Sequence, residues 1–93
     1  MDLAPTAEQQ AVQAEARRFL AGELTRERLA AFDREPAGYD AAFWRDVARL
    51  GWLGFGVPAA YGGQGASLLD VGLLLEECGR AAAPRAVADA IAG

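Results

Sequence analysis

A helix drawn through Leu68 to Arg80 has almost no wet side. At 100° per residue only Asp70 and Glu77 share a narrow polar edge, and apolar residues cover most of the remaining circumference. A helix that is hydrophobic nearly all round is normally buried inside protein. Only two other clear helices precede this one in a chain of 93 residues, and a domain of that size removes only about 60 to 65% of its unfolded surface from water. The chain is therefore expected to be one part of something larger. Taken alone, it is expected to expose a large apolar patch and to self-associate or form a loosely packed helical state.

The stretch before this helix sharpens the point. No charge appears from Leu50 to Leu69, about the length of a membrane-spanning helix. Gly51, Gly54, Gly56, Pro58, Gly62, Gly63 and Gly65 break any helix there, and bare backbone does not sit in lipid. No membrane span is expected, and the loop reads as one covered by protein. Leu, Ile, Val and Phe make up 21 of the 93 residues, just above the level of about 20% below which disorder is the better reading.

Local signals place the other elements. Thr6 and Gln9 form a capping box that opens a helix from Ala7 to about Gly22–Leu24, with Val12, Ala16, Phe19, Leu20 and Leu24 inward and Glu8, Gln13, Glu15 and Arg17 outward. A short continuation follows Thr25, with Leu29 and Phe32 on its inner side. Asp40 caps the next helix, whose Phe43, Val47 and Leu50 recur at helical spacing, and Gly51 is its left-handed stop. Residues 52–58 read as extended, alternating bulky with small. Ser67 caps the apolar helix, with Asp70 three residues on. Pro84 ends that helix or begins a fourth. The fold class expected is all-α, a small bundle of three to four helices with a glycine-rich loop.

Charge and composition exclude several chemistries. Nine arginines, with no lysine, are interleaved with thirteen acidic residues for a net charge of −4, so no basic stripe for nucleic acid exists. The chain has no histidine and one cysteine, Cys78. That removes imidazole metal sites, histidine-based triads and internal disulfides. The lone thiol and the absence of a signal-like N-terminus suit a cytoplasmic location.

Few candidate sites remain. Gly62-Gly63-Gln64-Gly65 opens a helix, as phosphate-cradling loops do. The dinucleotide fingerprint fails, because a third glycine would have to replace Leu68. Glu76 lies on an otherwise apolar arc between Leu69 and Gly72, where burial would raise a carboxyl pKa. Arg80 at i+4 gives it a structural explanation instead, as an ion pair. Trp44, Trp52, Phe55 and Tyr61 read as packing, Cys78 as a buried bystander and Ser67 as a cap. No catalytic residue and no metal ligand is assigned.

The order of the pieces carries a resemblance. Thr6-x-Glu8-Gln9, Arg17-Arg18-Phe19-Leu20, Phe43-Trp44-Arg45 and Leu50-Gly51-Trp52-Leu53-Gly54 come first. Val57-Pro58-Ala59-Ala60-Tyr61-Gly62-Gly63-Gln64-Gly65 and Leu74-Leu75-Glu76-Glu77-Cys78-Gly79-Arg80 follow, with Ala83-Pro84 beyond. From Thr6 to Pro84 this set resembles the N-terminal helical domain of the acyl-CoA dehydrogenase family. The motif residues Pro58, Tyr61, Gly62, Gly63, Gly65, Glu76, Glu77 and Arg80 are expected to be structural.

The resemblance implies a flavoenzyme of fatty acid metabolism. Family members remove two hydrogens across Cα–Cβ of an acyl-CoA thioester. A glutamate takes the α proton, FAD accepts the β hydride, and electron-transfer flavoprotein collects the electrons. Acyl-CoA oxidases and related flavin monooxygenases share the domain. The family adds a middle β domain and a C-terminal helical domain, which carries the catalytic glutamate, and assembles as dimers or tetramers. Residues 1–93 hold neither later domain, so this segment alone is expected to be inactive and to hold no FAD. Ala88 and Ile91 are expected near the tail end of an acyl substrate. The remaining domains or a homo-oligomer are expected to cover the apolar helix. A different class also fits the sequence: a stand-alone helical interaction module, or truncated remnant, docking on a full-length partner.

Overall fold

Four helices begin where a short polar side chain satisfies an amide that the first turn leaves open. A computed structural model of the chain describes residues 4–92. Among these, five α-helices occur: α1 (Ala7–Glu23), α2 (Arg26–Phe32), α3 (Ala41–Arg49), α4 (Leu68–Arg80) and α5 (Arg85–Ala92). One 3-10 turn spans Ala59–Tyr61, and there is no strand among the described residues. The count exceeds the expected three to four because the segment after Thr25 is a helix of its own and Pro84 starts another. Thr6, Thr25, Asp40 and Ser67 each accept from the amide three residues on, a cap worth about 1 kcal/mol.

α1 and α4 lie side by side and run in the same direction. Near their N-termini Gln9 Nε2 donates to Asp70 Oδ1 at 2.7 Å. Two turns on, Arg17 Nε donates to Glu77 Oε1 at 2.8 Å. The capping boxes of the two helices are joined by the first of these bonds, since Asp70 also accepts from Ser67. α5 packs on α4 from another side.

α2, α3 and the loop carry the chain back between these two parallel helices. Their core is aromatic: Phe43, fully buried, stacks with Phe19 at 6.2 Å and meets Phe32 at 5.4 Å, while Trp52 stands edge-on to Phe19. Arg28 ties this corner together. Its guanidinium lies over Phe32 and Phe43 and pairs with Glu23 and with Asp40, the latter at 3.1 Å. Leu20, Leu24, Val47, Val71, Leu74, Val87 and Ile91 complete the core.

Two helices end in the same way. The amides of Gly51 and Trp52 return to Ala48 and Val47, the paired bonds of a Schellman stop with Gly51 at φ 81°. At the end of α4 the amides of Ala82 and Ala83 return to Gly79 and Cys78 in the same pattern. There the left-handed position is filled by an alanine, Ala82, at φ 57°.

Three expectations are corrected. Residues 52–58 are not extended; the amides of Phe55 and Val57 fold back on Trp52 and Gly54 as successive turns, because the glycines there leave too little side chain for a sheet. Val12 and Leu50 are exposed rather than inward. Gln13 is half-buried and donates across to α4, and Arg17, although 56% exposed as expected, also reaches across to Glu77. No described helix is long and apolar enough to cross a membrane.

Gly72 gives a direct check on α4. It sits in mid-helix with nothing near the place a Cβ would occupy. Gly72→Ala should raise stability by about 1 kcal/mol, read from urea midpoints, because alanine fixes less backbone entropy on folding. A lower midpoint would mean that Gly72 meets a neighbour.

Candidate functional site

The uncharged segment folds into a self-tied loop. The amides of Gly63, Gln64, Gly65 and Ala66 donate to the carbonyls of Pro58, Gly54, Val57 and Phe55. Gly62 and Gly65 have φ 86° and 69°, a region that favours glycine. Gly63 is required for a different reason: a Cβ there would lie 2.1 Å from the Val57 carbonyl oxygen. The glycines are thus accounted for by the loop's own geometry. With those amides engaged inward, the loop offers no cradle for the pyrophosphate of a flavin or nicotinamide dinucleotide.

Beside the loop, α1 and α4 leave a groove of about 440 Å³. Phe55, Leu73 and Leu74 form its apolar lining, Val12 one wall, and the Gln9–Asp70 bond one rim. Two large side chains outside its lining are bare. Tyr61 is 82% exposed at the end of the 3-10 turn, and Leu68 is 89% exposed in the first turn of α4.

The ionisable groups are arranged for structure. Glu77 is the buried carboxylate, 1% exposed. Arg17 reaches both its oxygens, at 2.8 and 3.0 Å, and Gln13 Nε2 donates to Oε2 at 3.0 Å. The Arg17 hydrogen bonds hold its carboxyl below the ordinary range, outweighing burial, with Gln13 and Arg80 adding to the effect. Asp70 is held low by Gln9 and then Ser67. Asp40 is held low by the Phe43 amide and then Arg28. Each arrangement stabilises the anion, the opposite of what a proton-accepting base near neutral pH needs.

Glu76, the carboxylate that the helical wheel placed on an apolar arc, is 52% exposed and pairs with Arg80 at 2.8 Å. The ion-pair reading of Glu76 is the one the geometry gives. What sequence reasoning missed is that the buried carboxylate is its neighbour Glu77, held by Arg17 and Gln13. The signal was present as two polar edges, Asp70–Glu77 on one helix and Gln9–Gln13–Arg17 on the other, with members four to eight residues apart in sequence. Cys78 is buried, and burial followed by the Glu77 charge pushes its thiol up to about 11. Among the described residues no cluster of three His, Cys, Asp or Glu side chains suits a metal. Of the two expected acyl-wall residues, Ala88 is half-buried, whereas Ile91 is buried in the core of this chain.

A sequence profile described as "Acyl-CoA dehydrogenase, N-terminal domain" matches residues 6–92. The chain belongs to this family. As an acyl-CoA dehydrogenase N-terminal domain it is all-helical, in keeping with that match. The ordered motifs fall on its structural joints: Pro58 to Gly65 on the self-tied loop, and Glu76, Glu77 and Arg80 on the last turns of α4. No curated protein and no solved structure gives a significant match.

Proposed function

We propose that residues 1–93 form the N-terminal helical part of an FAD-dependent oxidoreductase that desaturates acyl-CoA thioesters at Cα–Cβ. The observation that carries this reading is the family match over residues 6–92. In it the segment supplies packing surface and part of the acyl-chain wall. Proton abstraction and flavin binding fall to residues outside it, since every carboxylate shifted here is shifted toward the anion and the loop amides are engaged. Leu68 and Tyr61 are the contact points for that remaining protein, within the same subunit or a second one. Electron-transfer flavoprotein is the electron acceptor that the dehydrogenase reading implies, with oxygen the acceptor if the whole protein is an oxidase.

The native product, isolated from source cells with an antibody to this chain, should carry FAD and bleach when acyl-CoA is added. A flavin-free product with no acyl-CoA-dependent reduction of an electron-accepting dye would overturn the reading and favour a docking module. The wall assignment is tested in that flavin-containing product at Ala88, because Ile91→Trp would overpack a core position. Ala88→Trp should shift kcat/KM toward shorter acyl-CoAs by roughly tenfold, the scale of one or two methylenes in an apolar pocket. An unchanged chain-length preference would remove Ala88 from the wall.

A further inference from the structure

We propose that the outward face of α4 is a seam for a second copy of this chain, whose own α4 packs on it antiparallel about a two-fold axis. Leu68, placed above against the same subunit or a second one, is thereby given to the second. The contact needs no flavin or substrate, so it stands or falls apart from the oxidoreductase reading.

Four residues form the seam. Leu68, Gly72, Leu75 and Gly79 follow one another at intervals of 4, 3 and 4 along α4, and at 100° per residue they fall within an arc of about 60°. Leu68 is 89% exposed, a knob with no hole in its own chain. Leu75 is half-buried beside it. Gly72 and Gly79 are exposed, and nothing lies within 4 Å of the place a Cβ would occupy at either. Glycine inside a helix weakens it relative to alanine, and no packing among the described residues requires it at these positions. The buried residues of α4, Val71, Leu74, Glu77 and Cys78, are turned the other way.

The order of large and small makes the seam its own complement. Set antiparallel about its midpoint, α4 places Leu68 opposite Gly79 of the second copy and Gly72 opposite Leu75, and the two-fold axis repeats both pairs. Each leucine then meets a glycine, and the helix axes can close to about 8 Å, the near end of the range for packed helices. A parallel pairing would set leucine on leucine and glycine on glycine, leaving voids. Charge points the same way. From Leu50 to Leu75 the single charge is Asp70, which is turned to α1 by its bond from Gln9. Two chains of net charge −4 therefore meet at this face without opposing acids. Glu76, at its edge, stands opposite residue 71 of the second copy and keeps its own Arg80. The antiparallel alignment also sets each helix N-terminus against a C-terminus.

The test is sedimentation of the 93-residue chain over a concentration series, where a closed dimer with a Kd of about 10 μM is expected of so small a seam. Leu68→Glu and Gly79→Arg, both at exposed positions, should each weaken it at least about thirtyfold. An equimolar mixture of the two should recover to within about tenfold of wild type. In that mixture one Leu–Gly pair is kept, and the introduced charges oppose one another only when the helices run antiparallel. Gly72→Ala, expected to stabilise the monomer, should weaken the dimer about tenfold, since its methyl fills the hole for Leu75. A chain that stays monomeric to about 1 mM, or that grows beyond a dimer, overturns the seam. So does a dimer that Gly72→Ala leaves unchanged, and this variant decides should either charged one unfold. Two weakened variants that fail to recover on mixing overturn the antiparallel pairing.

Discussion

Gly63→Ala should lower stability by about 3 kcal/mol, the upper range for forcing an extra methyl into a packed site. The added Cβ meets the Val57 backbone at 2.1 Å to its oxygen and 2.6 Å to its carbonyl carbon. Backbone cannot rotate away as a side-chain tip can, so the loop must open and give up the bonds from Gly63, Gln64 and Gly65. In a domain of this length the loss corresponds to a Tm drop of roughly 15 °C. Gly62→Ala is the internal comparison. It meets nothing within 4 Å and bears only the left-handed strain of φ 86°, about 1 kcal/mol. If thermal unfolding put both variants within a few degrees of one another, the close approach of residues 57 and 63 would be refuted.

Glu77→Ala should cost about 3 kcal/mol, through three lost hydrogen bonds to buried carboxylate oxygens and the space left behind. Arg17→Met should be damaging for a different reason. It leaves Glu77 as an anion in the core with Gln13 as its remaining close donor, so the Glu77 pKa should rise in that variant. Proton linkage supplies the readout. Glu77, Asp70 and Asp40 all have folded pKa values below their ordinary values of 4.5, 3.8 and 3.8. The unfolded chain therefore binds more protons as the pH falls through the carboxylate range. Their contribution is complete above that range and is lost progressively below it, toward the lower folded values. In Arg17→Met the acid loss of stability attributable to Glu77 should shrink or reverse. Urea midpoints between pH 3 and 7 that keep the wild-type acid slope in Arg17→Met would show that the pair does not couple to folding.

Much of the fold was readable from local chemistry. Thr6, Asp40 and Ser67 mark helix starts through bonds to amides three residues on, and Gly51 marks a stop through its positive φ. These involve only a few consecutive residues, so composition and order suffice. The α4 span from Leu68 to Arg80 was legible for the same reason. The buried carboxylate was not. Glu76 and Glu77 differ by one 100° step on the helix, and which of them turns inward depends on where α1 lies. That is fixed by side chains about sixty residues earlier, so the two polar edges had to be read together and neither suffices alone. Gln13 and Arg17 look like a solvent face until α4 is set beside them. The loop was legible as a break but not as a shape, because its bonds join carbonyls and amides that any residue carries.

The parallel pairing of α1 with α4 has a kinetic consequence. Its contacts join residues 60 to 64 positions apart, whereas antiparallel neighbours in a helical hairpin meet across a few residues. This pairing adds contacts of long sequence separation that a helical hairpin lacks, so the chain should fold more slowly than an antiparallel bundle of the same length. During synthesis the first helix leaves the ribosome with its partner still untranslated, and at about 5 to 20 residues per second it waits several seconds for α4. Until then its core-facing side, with Ala16 and Leu20, is open to whatever apolar surface comes near.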